Sequence, residues 1–144
     1  MRSFSHGAII RGDSTKKNIA LVFTGHEFAD GGNFISKTLQ KEKIKSSFFF
    51  TGDFLRNPDF KNLIRQLNLD GNQIGPHSDK HLLYCDWNKR DSLLVTYSDF
   101  SFDLRMNIAT MDEFDLGSYH PYHPKFFLPP YEWYNDSIAA WTKE

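Results

Sequence analysis

The sequence predicts an α/β fold in which parallel β-strands alternate with α-helices. Short apolar runs of strand length alternate along the chain with amphipathic stretches of helical period, and glycine or proline ends several of them. The chain has 144 residues, of which 40% are hydrophobic and 24% charged, as in a globular protein. This is the size of one domain, so we expect a single domain over residues 1–144.

The first strand and helix are predicted within the first 42 residues. Residues 18–24 form a near-continuous apolar run that ends at Gly25, which is typical of a buried strand. Residues 33–42 have helical period, and Asn33 is a suitable cap for a helix that begins there. The apolar side of this helix carries Phe34, Ile35 and Leu39.

A second strand and helix follow. Residues 46–51 are predicted to form a strand closed by Gly52. Pro58 then stands in the first turn of a helix, where its missing N–H is tolerated, and Gly71 ends that helix. The buried face of the helix has the spacing i, i+3, i+4, i+7 and consists of Phe60, Leu63, Ile64 and Leu67.

The second half of the chain is predicted to add two strands and one helix. Residues 72–75 predict a short strand, and residues 125–128 predict another that Pro129 halts. A helix is expected between residues 98 and 116. Its apolar stripe consists of Phe100, Leu104, Ile108, Met111 and Phe114. In a parallel sheet of this kind, ligand sites lie at the carboxyl ends of the strands.

Charge and hydropathy argue against two classes of protein. Lys and Arg number 17 and Asp and Glu 18, so a net charge of -1 lacks the basic excess of nucleic-acid-binding domains. The longest apolar run, residues 19–23, is far shorter than the roughly 20 residues of a membrane span. No apolar signal-peptide region follows Met1. A single cysteine, Cys85, excludes an internal disulfide.

Two histidines follow the predicted third strand. His77 and His81 stand four residues apart, directly after Gly75 and Pro76. At this spacing two imidazoles can point the same way and share one cation, and neutral imidazole suits zinc and its neighbours. The alternative is a pair of solvated surface histidines, which is the commoner situation for so short a motif.

The loop after the first predicted strand carries a third imidazole and two carboxylates, His26, Glu27 and Asp30. The loop and the histidine pair end neighbouring strands, so both are expected at one edge of the sheet. Three nitrogen or oxygen ligands with an open position for water make a catalytic site of the zinc type. By itself, the loop is better explained as a polar cap for the next helix.

Aromatic residues follow the predicted fourth strand. Aromatic residues make up 16% of the chain, and such rings bind sugars as well as filling cores. Pro129 and Pro130 stiffen the exit from the strand, and Tyr131, Trp133 and Tyr134 could form a wall for a sugar. For Trp133 and Tyr134 a cluster that merely covers the rim of the fold is an equally good explanation.

Three segments carry recognisable motifs: residues 44–52 read IKSSFFFTG, residues 75–81 read GPHSDKH, and residues 127–131 read FLPPY. With the strand at residues 19–24, they resemble the polysaccharide deacetylases of the NodB-homology group, carbohydrate esterase family four. The second segment matches the family's metal motif G-x-H-[ST]-x-x-H, and the third resembles its groove motif F-R-x-P-[YF]. The resemblance covers nearly the whole chain. It implies an α/β fold of the glycoside hydrolase/deacetylase type, a distorted, incomplete (β/α) barrel with parallel strands.

The resemblance implies a role for each histidine of the predicted site. The family's two metal-binding histidines fall on His77 and His81. Its first motif, T-F-D-D, supplies a catalytic base and then a metal-binding aspartate, and without gaps these positions fall on Gly25 and His26. A shift of one residue would place them on Thr24 and Gly25. We prefer the ungapped alignment because it puts an imidazole where a ligand is needed.

Several catalytic groups of the family have no counterpart in this chain. A glycine at the base position cannot accept a proton, which leaves Glu27 or Asp30 to act as the base. The groove arginine that pairs with the base in the family is Leu128 here. The family's general-acid histidine belongs to strands that would follow Glu144, and this chain lacks them.

Two further expectations follow from the missing strands. A parallel sheet without them has an uncovered edge, which favours a homo-oligomer. His120 and His123 could replace the missing acid, although no family motif assigns them that role. The resemblance also suggests an extracytoplasmic protein.

The resemblance and the residues together predict a metal-dependent, deacetylase-like hydrolase of low activity. It would remove acetyl groups from an amino sugar or an acetylated polysaccharide, with one divalent metal, zinc first and cobalt or nickel as alternatives. The expected partner is therefore a polysaccharide or oligosaccharide. The alternative is a non-catalytic carbohydrate-binding or structural member of the family that keeps the metal site.

Overall fold

A three-stranded parallel sheet forms the centre of the protein. The structure, a computed structural model, describes residues 2–114 and 126–143. In chain order, its strands and helices are β1 (Ser3–Ser5), β2 (Ala8–Arg11), β3 (Val22–Gly25), α1 (Gly32–Glu42), β4 (Ser47–Phe50), α2 (Gly52–Arg56), α3 (Lys61–Leu69), β5 (Gln73–Pro76), α4 (Tyr97–Asp112) and α5 (Asp136–Trp141). Short 3-10 turns lie at Pro58–Phe60 and Pro130–Glu132.

The central strand of the sheet is β4, which pairs in parallel with both β3 and β5. Phe50 lies opposite Gly25 on one side and opposite Pro76 on the other. Since the three strands point the same way, the residues that follow these three positions leave the sheet at one edge. The loops that carry His26 and His77 therefore start side by side.

The observed topology confirms the predicted α/β class with parallel strands and an incomplete barrel. Helix α1 follows β3, helices α2 and α3 follow β4, and α4 follows β5. Over residues 2–114 and 126–143 the sheet stays open and forms no closed barrel. The antiparallel β1–β2 hairpin and the helices α2 and α5 were not predicted, because segments of three to six residues are too short to show a period. None of the helices in the described residues is long and apolar enough to cross a membrane.

The larger hydrophobic core lies between the sheet and helices α1–α3. Phe48 and Phe50 of β4 are buried there, and Phe54 of α2 stacks on Phe50 at 4.3 Å. Helix α3 contributes the face predicted from its spacing: Leu63, Ile64 and Leu67 are buried, and Phe60 packs at the margin. This core fixes the position of the sheet, and with it the edge from which the loops carrying His26 and His77 start.

A second core joins the chain between β5 and α4 to the C-terminal helix. Tyr84, Cys85, Phe100 and Ile138 are fully or almost fully buried in it. The single thiol is thus a packed core group. This core packs the loop after β5, which carries His77 and His81, against α4 and α5.

The first predicted strand is shorter and more exposed than expected. Only Val22–Gly25 form a strand, and Ile19 is 88% exposed. The prediction of a buried strand over residues 18–24 was wrong because β3 lies at the edge of the sheet. An apolar run indicates burial on both faces only where a neighbouring strand and a helix layer cover it.

Helix α1 begins one residue earlier than predicted and has a narrower apolar face. Gly31 is its N-cap, no side chain caps it, and the predicted cap Asn33 lies inside the helix. A Cβ atom at Gly32 would lie 2.3 Å from a methyl group of Leu63, so the first turn packs directly on α3. Phe34 is 77% exposed, contrary to prediction, whereas Ile35 and Leu39 pack on the core.

Helix α4 begins at a capping box, which the helix-period pattern could not locate. The Thr96 hydroxyl accepts a hydrogen bond from the Asp99 backbone N–H, and Asp99 accepts one from the Thr96 backbone N–H in return. Phe100 and Met111 of the predicted stripe are buried. The helix ends at Asp112, four residues before the predicted limit at residue 116.

The predicted fourth strand is not present in its described part. Lys125 lies outside the described residues, and residues 126–128 have no regular secondary structure. The Leu128 N–H donates one hydrogen bond to the Pro76 carbonyl oxygen, at 3.2 Å. Pro129 and Pro130 follow at once and have no N–H to continue a ladder, so the pairing stops after one bond.

Candidate functional site

Three imidazole rings meet at the carboxyl edge of the sheet. His26 follows β3, and His77 and His81 follow β5. The rings of His26 and His81 are stacked, with centroids 4.6 Å apart and planes at 12°. The ring of His77 lies 5.2 Å from that of His81 at 60°. The structure therefore brings together the three histidines named from the sequence.

His77 is buried and held in one tautomer. Its Nδ1 lies 2.7 Å from the Leu128 carbonyl oxygen, which can only accept a hydrogen bond, so Nδ1 carries the proton. Nε2 then keeps its lone pair. Burial lowers the pKa of His77 to about 4, which outweighs the opposing effect of that hydrogen bond. The ring is neutral at physiological pH.

His81 connects the other two rings to an aromatic side chain. Burial, reinforced by His26, lowers the pKa of His81, and the nearby Glu27 opposes this shift. Its ring also lies 4.5 Å from that of Tyr131.

The loop that carries both metal-motif histidines passes through the left-handed region twice, because His81 has a backbone φ of 55° and Ser78 one of 72°.

A buried carboxylate on α4 holds this loop in place. Asp103 accepts hydrogen bonds from the Ser78 hydroxyl (2.6 Å), from the backbone N–H groups of Asp79 (2.9 Å) and Lys80 (3.0 Å), and from the Tyr84 hydroxyl (3.3 Å). Such bonds to a charged acceptor are stronger than those between neutral groups. Asp103 therefore compensates for the unusual backbone conformation between the two histidines.

Asn107, one turn further along α4, ties two strand ends together. Its side-chain oxygen accepts a hydrogen bond from the His77 backbone N–H (2.9 Å), and its amide donates to the Phe50 carbonyl oxygen (3.1 Å). Sequence analysis missed both Asp103 and Asn107. Their spacing of four, inside a stripe of apolar residues, was the available signal for a buried polar pair on one helix face.

Asp79, between the two histidines, is turned away from the imidazoles. Its two oxygens bind Arg56 of α2 through both guanidinium nitrogens, at 2.7 and 2.9 Å. A Cβ at Gly52 would lie 1.7 Å from one of these oxygens, so the glycine allows the carboxylate to reach its partner. The hydrogen bond to Asp79 raises the pKa of Arg56 further. This pair braces the loop against α2.

His26 is oriented by the loop after β4, and a carboxylate lies beside it. Its Nδ1 lies 3.1 Å from Oγ1 of Thr51, the hydroxyl that also accepts the Phe54 N–H and so caps α2. Its Nε2 lies 3.9 Å from Oε1 of Glu27, whose side chain is exposed. Of the two carboxylates named from the sequence as candidate bases, Glu27 is therefore the one in ion-pair range of an imidazole.

Asp30 is placed differently from Glu27. It lines a shallow groove together with Asn33, Asp59 and Phe60, beside the start of α1 and the 3-10 turn that precedes α3. Its neighbours in this groove are therefore helix-layer residues. Glu27 also borders the groove, at the end nearest to His26.

Gly25, on which the ungapped resemblance places the family's base, faces the hydrophobic core. A Cβ atom at Gly25 would lie 2.7 and 2.8 Å from ring atoms of Phe54 and 2.9 Å from the ring of Phe50. A carboxylate there would need both rings to move, and it would point into the helix layer. Leu128, on which the resemblance places the groove arginine, holds His77 through its backbone carbonyl.

One of the aromatic residues predicted to bind sugar presents its ring to the imidazoles. Tyr131 is 46% exposed and lies beside His81. Pro130 is buried in its 3-10 turn. The Trp133 ring is covered by Arg90, whose Cζ lies 3.7 Å from the ring centroid, which agrees with the alternative explanation of a rim cluster. Tyr134 donates to the Ser5 carbonyl oxygen.

Sequence analysis missed another exposed aromatic residue, Trp87, in the loop between β5 and α4. The residue is 52% exposed, and its ring meets that of Tyr131 edge to face at 5.3 Å. The signal for it was a tryptophan in an otherwise polar stretch, residues 86–92. Tyr131 thus lies between the imidazoles and Trp87.

The donors suit a zinc-type ion in chemistry, although they do not form a three-ligand centre. His77 and His81 are held neutral, as a metal ligand must be. Within residues 2–114 and 126–143, no group of three or more His, Cys, Asp or Glu side chains is arranged to hold a metal ion. Imidazole lone pairs lie in the ring plane, so the parallel rings of His26 and His81 do not aim at one point. His120 and His123 lie outside the described residues.

Comparison with known proteins agrees with this architecture. The family model described as polysaccharide deacetylase matches residues 11–144. No curated protein matches the chain. A family 4 carbohydrate esterase from Bacillus anthracis is similar in structure, with a TM-score of 0.78 and 23% identity over 96% of this chain and 60% of its own.

Two further solved structures share the fold. A peptidoglycan deacetylase from Bacillus subtilis has a TM-score of 0.66 and 22% identity over 90% of this chain and 56% of its own. A CE4 family pseudoenzyme from Bacillus anthracis has a TM-score of 0.75 and 16% identity over 97% of this chain and 44% of its own. The present chain thus spans between 44% and 60% of these three proteins.

The family match extends over nearly the whole chain and includes both strand-end loops that bring the three imidazoles together. The protein therefore belongs to the polysaccharide deacetylase family.

Proposed function

We propose that the protein binds an acetylated polysaccharide at the imidazole cluster and removes acetyl groups from it slowly. The observation that carries this proposal is the placement of three imidazoles, two of them kept neutral, beside the exposed ring of Tyr131 at the carboxyl edge of a parallel sheet. Structurally similar proteins are described as a carbohydrate esterase and a peptidoglycan deacetylase. An amino sugar or acetylated sugar chain is therefore the first substrate class to test.

The proposed reaction needs a base for water and a proton for the leaving group. We assign the base to Glu27, because its carboxylate is in range of His26 at the open end of the site. Water would give a proton to Glu27 as its oxygen bonds to the acetyl carbon. The bond from that carbon to the sugar nitrogen then breaks, and the nitrogen takes up the proton that Glu27 accepted from water.

We further propose that His77 and His81 attach one divalent cation, with zinc first and cobalt or nickel as alternatives. The free Nε2 lone pair of His77 supports this proposal. His26, the third ligand named from the sequence, would have to turn out of its stack on His81 to take part. When bound, such an ion would polarise the acetyl carbonyl.

The low rate follows from the base position. Gly25 offers no proton acceptor and faces Phe50 and Phe54. A well-placed general base typically contributes about 10²–10⁴-fold in rate. Glu27 is exposed, and among the described residues its one ion-pair contact is with His26 at 3.9 Å. We therefore expect it to recover only part of this factor.

A second candidate function is carbohydrate binding without catalysis. The specific observation in its favour is the phenyl rings that fill the space in front of Gly25. One structurally similar protein is described as a pseudoenzyme of the CE4 family, which makes this outcome a realistic one within the fold. In this case the imidazole cluster and Tyr131 would bind the sugar and leave its acetyl groups intact.

Acetate release separates the two candidates. The protein, purified without chelators or a metal-affinity tag, is loaded with zinc, cobalt or nickel and incubated with acetylated chito-oligosaccharides and acetylated xylan. Slow release of acetate that falls in His77→Ala supports the deacetylase. Binding of the same sugars without any acetate above the His77→Ala background supports the binding protein.

Two further expectations remain proposals. Pairing of the exposed edge of β3 with a second copy would give the homo-oligomer, and sedimentation analysis at several concentrations tests it.

Folding of residues 1–144 as one domain predicts a single cooperative unfolding transition.

A further inference from the structure

We propose that Trp87 binds the sugar unit next to the one whose acetyl group lies at the imidazole cluster, by stacking its indole on the pyranose ring. This inference rests on the proposed function of the site. It adds a binding position outside the motifs of the sequence and makes a polysaccharide, rather than a single sugar, the preferred ligand.

The loop that carries Trp87 is rigid. Cys85 and Leu93 form an isolated antiparallel bridge across its base, and the Asp86 N–H donates to the Ser92 carbonyl oxygen at 2.9 Å. The Asp86 carboxylate accepts hydrogen bonds from the backbone N–H groups of Asn88 and Lys89, both at 2.8 Å. A loop closed by its own hydrogen bonds in this way has little freedom left to lose on binding.

The same loop is docked on the chain that follows Tyr131. The Trp133 indole N–H donates to the Asp86 carbonyl oxygen (3.2 Å), and the Asn135 amide donates to the Arg90 carbonyl oxygen (3.1 Å). Arg90 lies over the face of Trp133. These contacts place Trp87 at a fixed position relative to Tyr131.

The Trp87 ring packs against that of Trp133, with centroids 5.6 Å apart and planes at 32°, yet the residue stays 52% exposed. Trp133 and Trp141 are partly buried in the second core, whereas half of the Trp87 side chain remains exposed on a loop already closed by backbone bonds. An exposed, rigid indole offers a large flat surface to a ligand at little cost in side-chain entropy. The apolar C–H face of a pyranose ring is a suitable partner for such a surface.

The geometry also sets which sugar unit Trp87 would bind. The Tyr131 ring contacts both the His81 ring, at 4.5 Å, and the Trp87 ring, at 5.3 Å, and the planes of Tyr131 and Trp87 meet at 76°. The Tyr131 and Trp87 rings therefore meet nearly at a right angle, and Tyr131 is the one of the two that contacts an imidazole. A sugar on Trp87 lies beyond Tyr131, in a neighbouring subsite.

The test compares a long and a short probe by titration calorimetry and ligand-observed NMR. Tetra-N-acetylchitotetraose and the monomer N-acetylglucosamine are titrated into wild type, Trp87→Ala, Trp87→Phe and Phe34→Ala. The last variant is the matched control, because Phe34 is an exposed aromatic residue on α1, away from the site. Equal thermal unfolding midpoints of the variants show that the fold is retained.

We expect Trp87→Ala to weaken tetramer binding roughly tenfold, which corresponds to ~1.4 kcal/mol, and to leave monomer binding unchanged. Trp87→Phe should recover most of the affinity, and Phe34→Ala should behave as wild type. Tetramer binding by Trp87→Ala within twofold of wild type overturns this inference alone. Equal losses for monomer and tetramer also overturn it. A wild type that binds neither probe overturns the proposed function and this inference with it.

Discussion

Nδ1 of His77 donates a hydrogen bond to the carbonyl oxygen of Leu128 at 2.7 Å, and this bond determines which ring nitrogen faces the site. The carbonyl belongs to the backbone, so the residue type at position 128 does not affect it. A change of side chain at position 128 should therefore leave the orientation of the His77 ring unaltered. Together with burial, which lowers the pKa of His77 to about 4, the hydrogen bond to Leu128 leaves a neutral imidazole whose Nε2 keeps its lone pair.

Removal of both metal-motif histidines should abolish the binding of divalent cations. We expect His77→Ala/His81→Ala to contain at most a small fraction of the zinc found in wild type, because two-point attachment is lost. Plasma emission spectrometry of protein loaded with zinc and then desalted measures this. His6→Ala on the β1–β2 hairpin is the control and should retain the wild-type content. Unchanged zinc in the double variant would contradict the assignment.

Acidification should destabilise the metal-free protein through His77. Burial lowers the pKa of this ring from 6.5 to about 4, so below pH 6.5 protons bind preferentially to the unfolded chain. The stability due to the neutral ring is complete above pH 6.5 and is lost as the pH falls through 4. Its loss amounts to about 3 kcal/mol near pH 4.

Urea unfolding at pH 7.5 and 4.5 measures this effect against His77→Asn. The asparagine amide can donate to the Leu128 carbonyl and does not titrate in this range. We expect the free energy of unfolding to fall less between the two pH values in this variant than in wild type. Equal falls in the two proteins would show that His77 is not the responsible group.

Asp103→Asn should destabilise the fold and the histidine loop together. The carboxylate accepts bonds from a hydroxyl and two backbone N–H groups within 3.0 Å, and an amide would turn a donor toward one of them. We expect a loss of roughly 2–4 kcal/mol in unfolding free energy by urea titration. Asp112→Asn, at the exposed end of α4, is the control and should change it by less than about 0.5 kcal/mol. Equal stability of the two variants would refute the role of Asp103.

A side chain at Gly25 should be better tolerated when Phe54 is replaced by a smaller residue. Gly25→Ala places a Cβ 2.7 Å from the Phe54 ring, and we expect a destabilisation of about 1–3 kcal/mol. Gly12→Ala, with no atom within 4 Å of the new Cβ, is the matched control. In Gly25→Ala/Phe54→Leu the two losses should be less than additive, because the second change removes the contacts with the Phe54 ring and leaves only the one with Phe50 at 2.9 Å. Additive losses in thermal or urea unfolding would show that the two positions do not interact.

Glu27→Gln should reduce acetate release, and Asp30→Asn should not. Glu27 is in range of His26, whereas Asp30 lines a groove with Asn33 and Phe60. We expect at least a tenfold lower initial rate for Glu27→Gln, measured on the zinc-loaded protein with acetylated chito-oligosaccharides. Robust turnover that neither substitution lowers would mean that another group is the base.

Much of the fold could be predicted from local patterns. The spacing of Leu63, Ile64 and Leu67 predicted the buried face of α3, since a helix of fixed period must turn these residues to one side. The apolar run over residues 46–51 predicted a strand, and the structure has β4 at Ser47–Phe50. The burial of residues 18–24 could not be predicted in the same way, because an apolar run does not show whether its strand is central or at an edge.

The sequence by itself determined the family and the strand-end placement of His26, His77 and His81, because both follow from motifs and from the direction of parallel strands. Only the tertiary structure decided what surrounds them. Asp103 on α4 binds the loop that carries His77 and His81, and Trp87 in the loop between β5 and α4 contacts Tyr131. Gly25 of β3 lies against Phe54 of α2. Such contacts join residues far apart in the chain. Their geometry depends on how the helices pack on the sheet, and no local pattern of residues encodes it.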